Sequence, residues 1–175
     1  MSALVKELSD SLKSDRSDRN RKKWASNIIE QGIPLKDLTE ILYAQKPINT
    51  RFTWLLGYIC ELSPSTVFPI ITYLFTNRHE IDVLNFNRSL AKMFWLCGIP
   101  DEIEGEAADE MFKWMLNPIE QVSVKSYALF ALTKLAAKHP DLKNELEWVI
   151  KDQLTKNSAS FKKRAEKILQ QLDKL

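Results

Sequence analysis

Five basic residues, Arg21, Arg51, Arg88, Lys125 and Lys162, recur along the chain, and the last four stand 37 residues apart. Cations at regular spacing present a row of charge that suits an acidic peptide or a phosphate backbone. These five are the candidate partner-binding residues. The competing reading is internal pairing, since Asp15 and Asp82 each lie six residues before their arginines, Arg21 and Arg88. Lys125 and Lys162 have Ile119 and Lys156 at that place, so they are the cations expected to be free.

Aromatic chemistry is the second possibility. Trp24, Trp54, Trp95, Trp114 and Trp148 could stack on bases or line a cleft, but most sit at core-facing positions of a helical period, and packing is the favoured reading. Trp24 and Trp54 stand where later copies of the pattern hold alanine, which suggests that they fill a wider gap.

Catalytic groups are sparse. His79 and His139 each adjoin a turn, with no neighbouring nucleophile and no metal-ligand spacing. Phosphate-loop, dinucleotide and G-x-S-x-G patterns do not occur in the sequence. Asp109 and Glu110 are adjacent, so on a helix they diverge. Cys60 and Cys97 lie in apolar runs without zinc-site spacing and are expected to be buried, reduced thiols. No catalytic, cofactor-binding or metal-binding residue is therefore assigned.

Charge favours no single partner class. The net charge is +2; residues 1 to 23 carry seven Lys/Arg against four acids, and residues 151 to 175 carry seven against three. Nucleic acid could meet Arg19, Arg21, Lys22 and Lys23, or Lys162, Lys163 and Arg164 with Lys156, Lys167 and Lys174, yet acids interleave with both clusters. Asp101, Glu102, Glu104, Glu106, Asp109 and Glu110 form an acidic run that complements the dipole of an opening helix.

The elements that must position these groups are helices. Only four glycines occur in the chain, and no stretch alternates apolar and polar residues long enough to specify a strand. No run of 18 apolar residues is present, and the segment from Met1 to Asn20 is polar and amphipathic, so the expectation is a cytoplasmic single domain over 1–175. The basic positions belong to a longer repeat: Trp54, Ala91, Ala128 and Ala165 keep the 37-residue step, as do Cys60 and Cys97. An N-terminal copy is offset by 30, with Arg21 and Trp24 standing where Arg51 and Trp54 stand.

In each copy, offsets of three, six, seven and ten from the basic residue are read as one buried stripe. A preceding helix is predicted over 34–44, 65–76, 104–116 and 141–155, and Pro34, Pro64, Pro100 and Pro140 punctuate the turns. An imperfect pair at 2–14 and 19–31 completes five. Phe52, Leu56, Met93 and Phe130 are left open, as a self-association surface or as packing under a neighbouring helix.

The run Val124-Lys125-Ser126-Tyr127-Ala128-Leu129-Phe130-Ala131-Leu132 resembles the second helix of HEAT-like repeats, which opens with an apolar residue, then a cation, then alanine three positions on. The resemblance covers most of the chain, and armadillo repeats and the DNA alkylation repair superhelix are related folds. It implies an all-α protein, an α-α superhelix or short α-solenoid of about five helix pairs, with the second helices lining the partner-binding face.

Glu166, Lys167 and Gln170 replace the Leu129, Phe130 and Thr133 of the preceding copy, the polar face expected of a capping repeat. The Ser-rich signature loop of the adenylosuccinate lyase superfamily, with its Met-Pro-x-Lys-x-Asn run, does not occur, so lyase activity is not expected. The leading expectation is a non-enzymatic protein-interaction scaffold with a protein or acidic-peptide partner and no cofactor. The alternative is a nucleic-acid-binding protein related to the alkylation repair superhelix.

Overall fold

A computed structural model describes residues 2–174, and every regular element among them is helical. The chain divides into two units, 1–100 and 101–175. Five pairs of helical segments form, three in the first unit and two in the second, but the helix predicted over 34–44 is a 3-10 segment.

In the first unit α1 (Ala3–Ser14) pairs with α2 (Asp18–Glu30). Both open on serine: the Ser2 hydroxyl accepts from the Val5 amide and the Ser17 hydroxyl from the Asn20 amide, satisfying donors that a first turn leaves orphaned. Helix α2 stops at Gly32, whose φ of 62° lies in the left-handed region that glycine adopts readily. There the Ile33 amide returns to the Ile28 carbonyl and the Gly32 amide to that of Ile29.

A 3-10 segment (Leu35–Tyr43) then precedes α3 (Ile48–Leu62). The third pair is α4 (Pro64–Val67) and α5 (Ile71–Thr76) against α6 (Phe86–Cys97). The single helix predicted over 65–76 is thus corrected. Pro69 has no amide hydrogen to continue an i to i−4 ladder, and the chain passes through a 3-10 turn at Phe68–Ile70 before α5 resumes.

The unit's core gathers on α3, which packs against α2, the 3-10 segment, α4 and α6. Phe52, Leu55, Leu56, Ile59 and Cys60 are fully buried there, and Phe75 meets Phe94 edge-on at 5.7 Å between ring centres.

The second unit consists of α7 (Glu104–Leu116), α8 (Val122–Lys138), α9 (Lys143–Gln153) and α10 (Ala159–Leu172), with 3-10 turns at Asp101–Ile103 and Pro140–Leu142. The offsets predicted to form the stripe hold on α8, where Ala128, Ala131, Leu132 and Leu135 are all buried. On α10 they bury Ala165, Ile168 and Leu172, while Glu166, Lys167 and Gln170 are exposed.

On α3 the stripe requires a correction. Its offsets name Trp54, Gly57, Tyr58 and Glu61, yet the buried face is Phe52, Leu55, Leu56 and Ile59. The two sets differ by two positions, about 200° around a helix of 100° per residue. Helix α3 carries apolar groups on both faces, and the wholly aliphatic and phenyl face has the larger transfer free energy to gain from burial. The question left open for Phe52, Leu56 and Met93 is settled in favour of packing, since each is at most 1% exposed. Phe130 is half-buried.

A cleft on the outer face of α3

The rotation of α3 turns Trp54, Gly57, Tyr58 and Glu61 outward, where they form the floor of a cleft. Asp18 and Arg21 from α2 make one wall, and Arg88, Ser89 and Lys92 from α6 make the other, around a volume of about 280 Å³. Trp54 is 46% exposed and offers its ring to this space.

Arg21 is the buried anchor of the cleft. It is 7% exposed, donates from Nη2 to Asp18 Oδ1 at 2.5 Å and from Nη1 to the Arg16 carbonyl at 2.6 Å, and its Nε is buried without a hydrogen-bond partner. Its guanidinium lies 5.1 Å from the centre of the Trp54 ring, and Lys22 sits 5.4 Å from that of Tyr58. The Tyr58 hydroxyl hydrogen-bonds to Asp18, and with Arg21 it holds that carboxyl below the ordinary carboxylate range. The same bond to Asp18 pushes the Tyr58 phenol upward. Across the cleft, Lys92 Nζ donates to Glu61 Oε1 at 2.6 Å. Three cations, Arg21, Arg88 and Lys92, and two acids, Asp18 and Glu61, line the cleft.

The candidate ladder separates into unlike roles. Arg21 and Arg88 line the cleft. Arg21 takes its acid from Asp18; Asp15, the expected partner, accepts from the Ser17 amide at 2.8 Å. Asp82 forms an ion pair with Lys46 at 2.7 Å. Arg51 donates to the carbonyls of Leu12 and Lys13 at 2.6 and 3.1 Å, satisfying acceptors at the end of α1.

Lys125 corrects the expectation of a free cation: it is 2% exposed, and its ammonium donates to Gln153 Oε1 at 3.2 Å. Burial pulls its pKa below the ordinary lysine value. The absence of an acid six residues earlier is matched by an amide supplied from α9, a contact that no local spacing reveals. Lys162 is exposed, with Glu166 at 3.9 Å.

The tryptophans also divide. Trp24 and Trp114 pack inside, their indole nitrogens donating to Ser11 Oγ at 2.8 Å and Glu110 Oε1 at 3.1 Å. Trp95 is half-buried. Packing is overturned for Trp54 and Trp148, which is 62% exposed.

In the second unit a cluster of opposite charges closes the α7 and α8 ends. Lys138 Nζ donates to Asp101 Oδ1 at 2.7 Å and to Glu104 Oε1 at 2.6 Å, while His139 Nε2 lies 2.8 Å from Glu104 Oε2. Burial opposes ionisation of Glu104, but Lys138 and His139 outweigh it and hold the carboxyl below its usual value. The acidic run therefore supplies side-chain partners as well as a favourable dipole. The spacing carried a clue, since Asp101 and Lys138 are 37 residues apart, the same step as the repeat. Among the described residues, no group of three or more His, Cys, Asp or Glu is arranged to hold a metal ion, and no helix is long and apolar enough to cross a membrane.

Compared with protein-family models, with curated proteins and with solved structures, the chain finds no match in any of the three.

Proposed function

We propose that the chain is a HEAT-like repeat protein that acts without catalysis, as a cytoplasmic interaction module, and that the α3 cleft receives an acidic segment of a partner protein. The observation that carries this reading is the outward face of α3. An indole lies open in a recess whose walls bring more cationic than anionic side chains, so one apolar anchor and one or two carboxylates can be met together. An apolar side chain of the partner would rest on Trp54, with its carboxylates beside the cationic wall.

A nucleic-acid reading keeps one specific support, the exposed Trp54 with Arg21 at its face and Asp18 beside it, an arrangement suited to stacking an unpaired base. The near balance of charge in the lining favours the peptide. Fluorescence anisotropy with labelled Asp/Glu-rich peptides containing one aromatic residue separates the two. The peptide reading expects binding that falls at least about tenfold in Arg88→Glu and in Trp54→Ala, the scale of losing one anchor. Equal binding by all three proteins, or tighter and steeply salt-dependent binding of single-stranded DNA, would refute it.

A further inference from the structure

Cys60 and Cys97 stand one repeat apart, on α3 and on the last turn of α6, and their sulfurs lie 3.3 Å from each other. Neither is in a disulfide; Cys60 is fully buried and Cys97 half-buried. The Lys92–Glu61 ion pair holds the same two helices together one residue beyond Cys60. A disulfide needs the sulfurs to approach to about 2 Å, a shift that small side-chain rotations supply when the thiols already touch.

We propose that Cys60 and Cys97 are an oxidisable pair that closes into an intramolecular disulfide by exchange with a small-molecule disulfide, clamping α3 to α6. The order of attack follows from burial. Cys97, the accessible thiol, attacks one sulfur of the small disulfide, forming a mixed disulfide and releasing one small thiol, which takes up the Cys97 proton. The Cys60 sulfur then attacks Cys97 Sγ, forming the internal bond and expelling the second small thiol with the Cys60 proton. Two protein thiols are oxidised and one small disulfide is reduced to two thiols. The hydrogen bond with Cys97, and then burial, raise the Cys60 thiol, in keeping with its place as the resolving rather than the first-attacking group. The inference does not depend on what the cleft binds.

The test treats the full chain with oxidised glutathione under native conditions and follows intact mass and alkylatable thiols. Wild type is expected to lose both alkylatable thiols and two hydrogens, retain no glutathione, unfold at a higher temperature, and revert on reduction. Cys60→Ser and Cys60→Ala are expected to keep one glutathione on Cys97, whereas Cys97→Ser stays unmodified. Wild type that stops at a glutathione adduct, or keeps both thiols, overturns the proposal without reference to any variant. Modification of Cys97→Ser as fast as Cys60→Ser, with circular dichroism showing both folded, overturns the order of attack.

Discussion

Lys125 shows how a single side chain changes meaning when its surroundings are known. Its ammonium is enclosed and held by one amide oxygen, so the charge is a cost to folding rather than a point of recognition. Gln153 Oε1 also accepts from Asn157 Nδ2 at 3.0 Å and would remain satisfied without the lysine. Lys125→Met should therefore leave stability unchanged or raise it, while Lys125→Glu, which buries an acid beside an acceptor, should lose about 3 kcal/mol or more. Urea denaturation of both variants checks this, and a large loss in the methionine variant would show that the ammonium is needed.

The residue type and its spacing were legible in the sequence at this position. The burial was not, because the partner comes from α9 and the repeat period says nothing of which cations it covers. Arg21 was read more nearly: its pairing with an acid was anticipated, and only the choice of Asp18 over Asp15 differed.

Among the elements, α3 carries the functional argument. Periodicity identified the helix and the residues that face one another along it, but a helix apolar on two sides has two stripes, and only packing chooses between them. The two faces should answer differently to truncation. Phe52→Ala is expected to cost about 3 to 5 kcal/mol through the cavity it opens, whereas Trp54→Ala should stay within about 0.5 kcal/mol. Thermal unfolding of the two variants side by side tests the assignment, and the reverse order of effects would place Trp54 in the core.

Elsewhere the local signals were clearer. The predicted 104–116 coincides with α7, where apolar periodicity runs without a proline. Pro69 lay in view inside the predicted 65–76, and its missing amide is why that helix arrives in pieces.

For the whole molecule, the all-helical pairing was legible because the 37-residue step repeats both composition and turn chemistry. The cleft was not, since it depends on which way α3 is turned and on side chains from three helices meeting. Electrostatics gives a second test at this scale. Asp101 and Glu104 both have carboxyls held below their usual values, Asp101 by Lys138 and Glu104 by Lys138 and His139 against the cost of burial. The stability they contribute is present above the unfolded carboxylate pKa of about 4 and is lost as pH falls through the lower folded values. Lys138→Met should flatten the acid limb of a stability-against-pH curve, and an unchanged limb would show that the cluster contributes nothing.

Whether the cleft takes a protein partner can be read from amide and indole chemical-shift mapping. Titrating an Asp/Glu-rich peptide into the isotope-labelled chain should move the Trp54 indole signal and the backbone signals of Gly57, Tyr58 and Ser89, and single-stranded DNA should not displace the peptide. Shifts that cluster away from these residues, or disappear when single-stranded DNA is added, would contradict the assignment of the cleft to a protein partner.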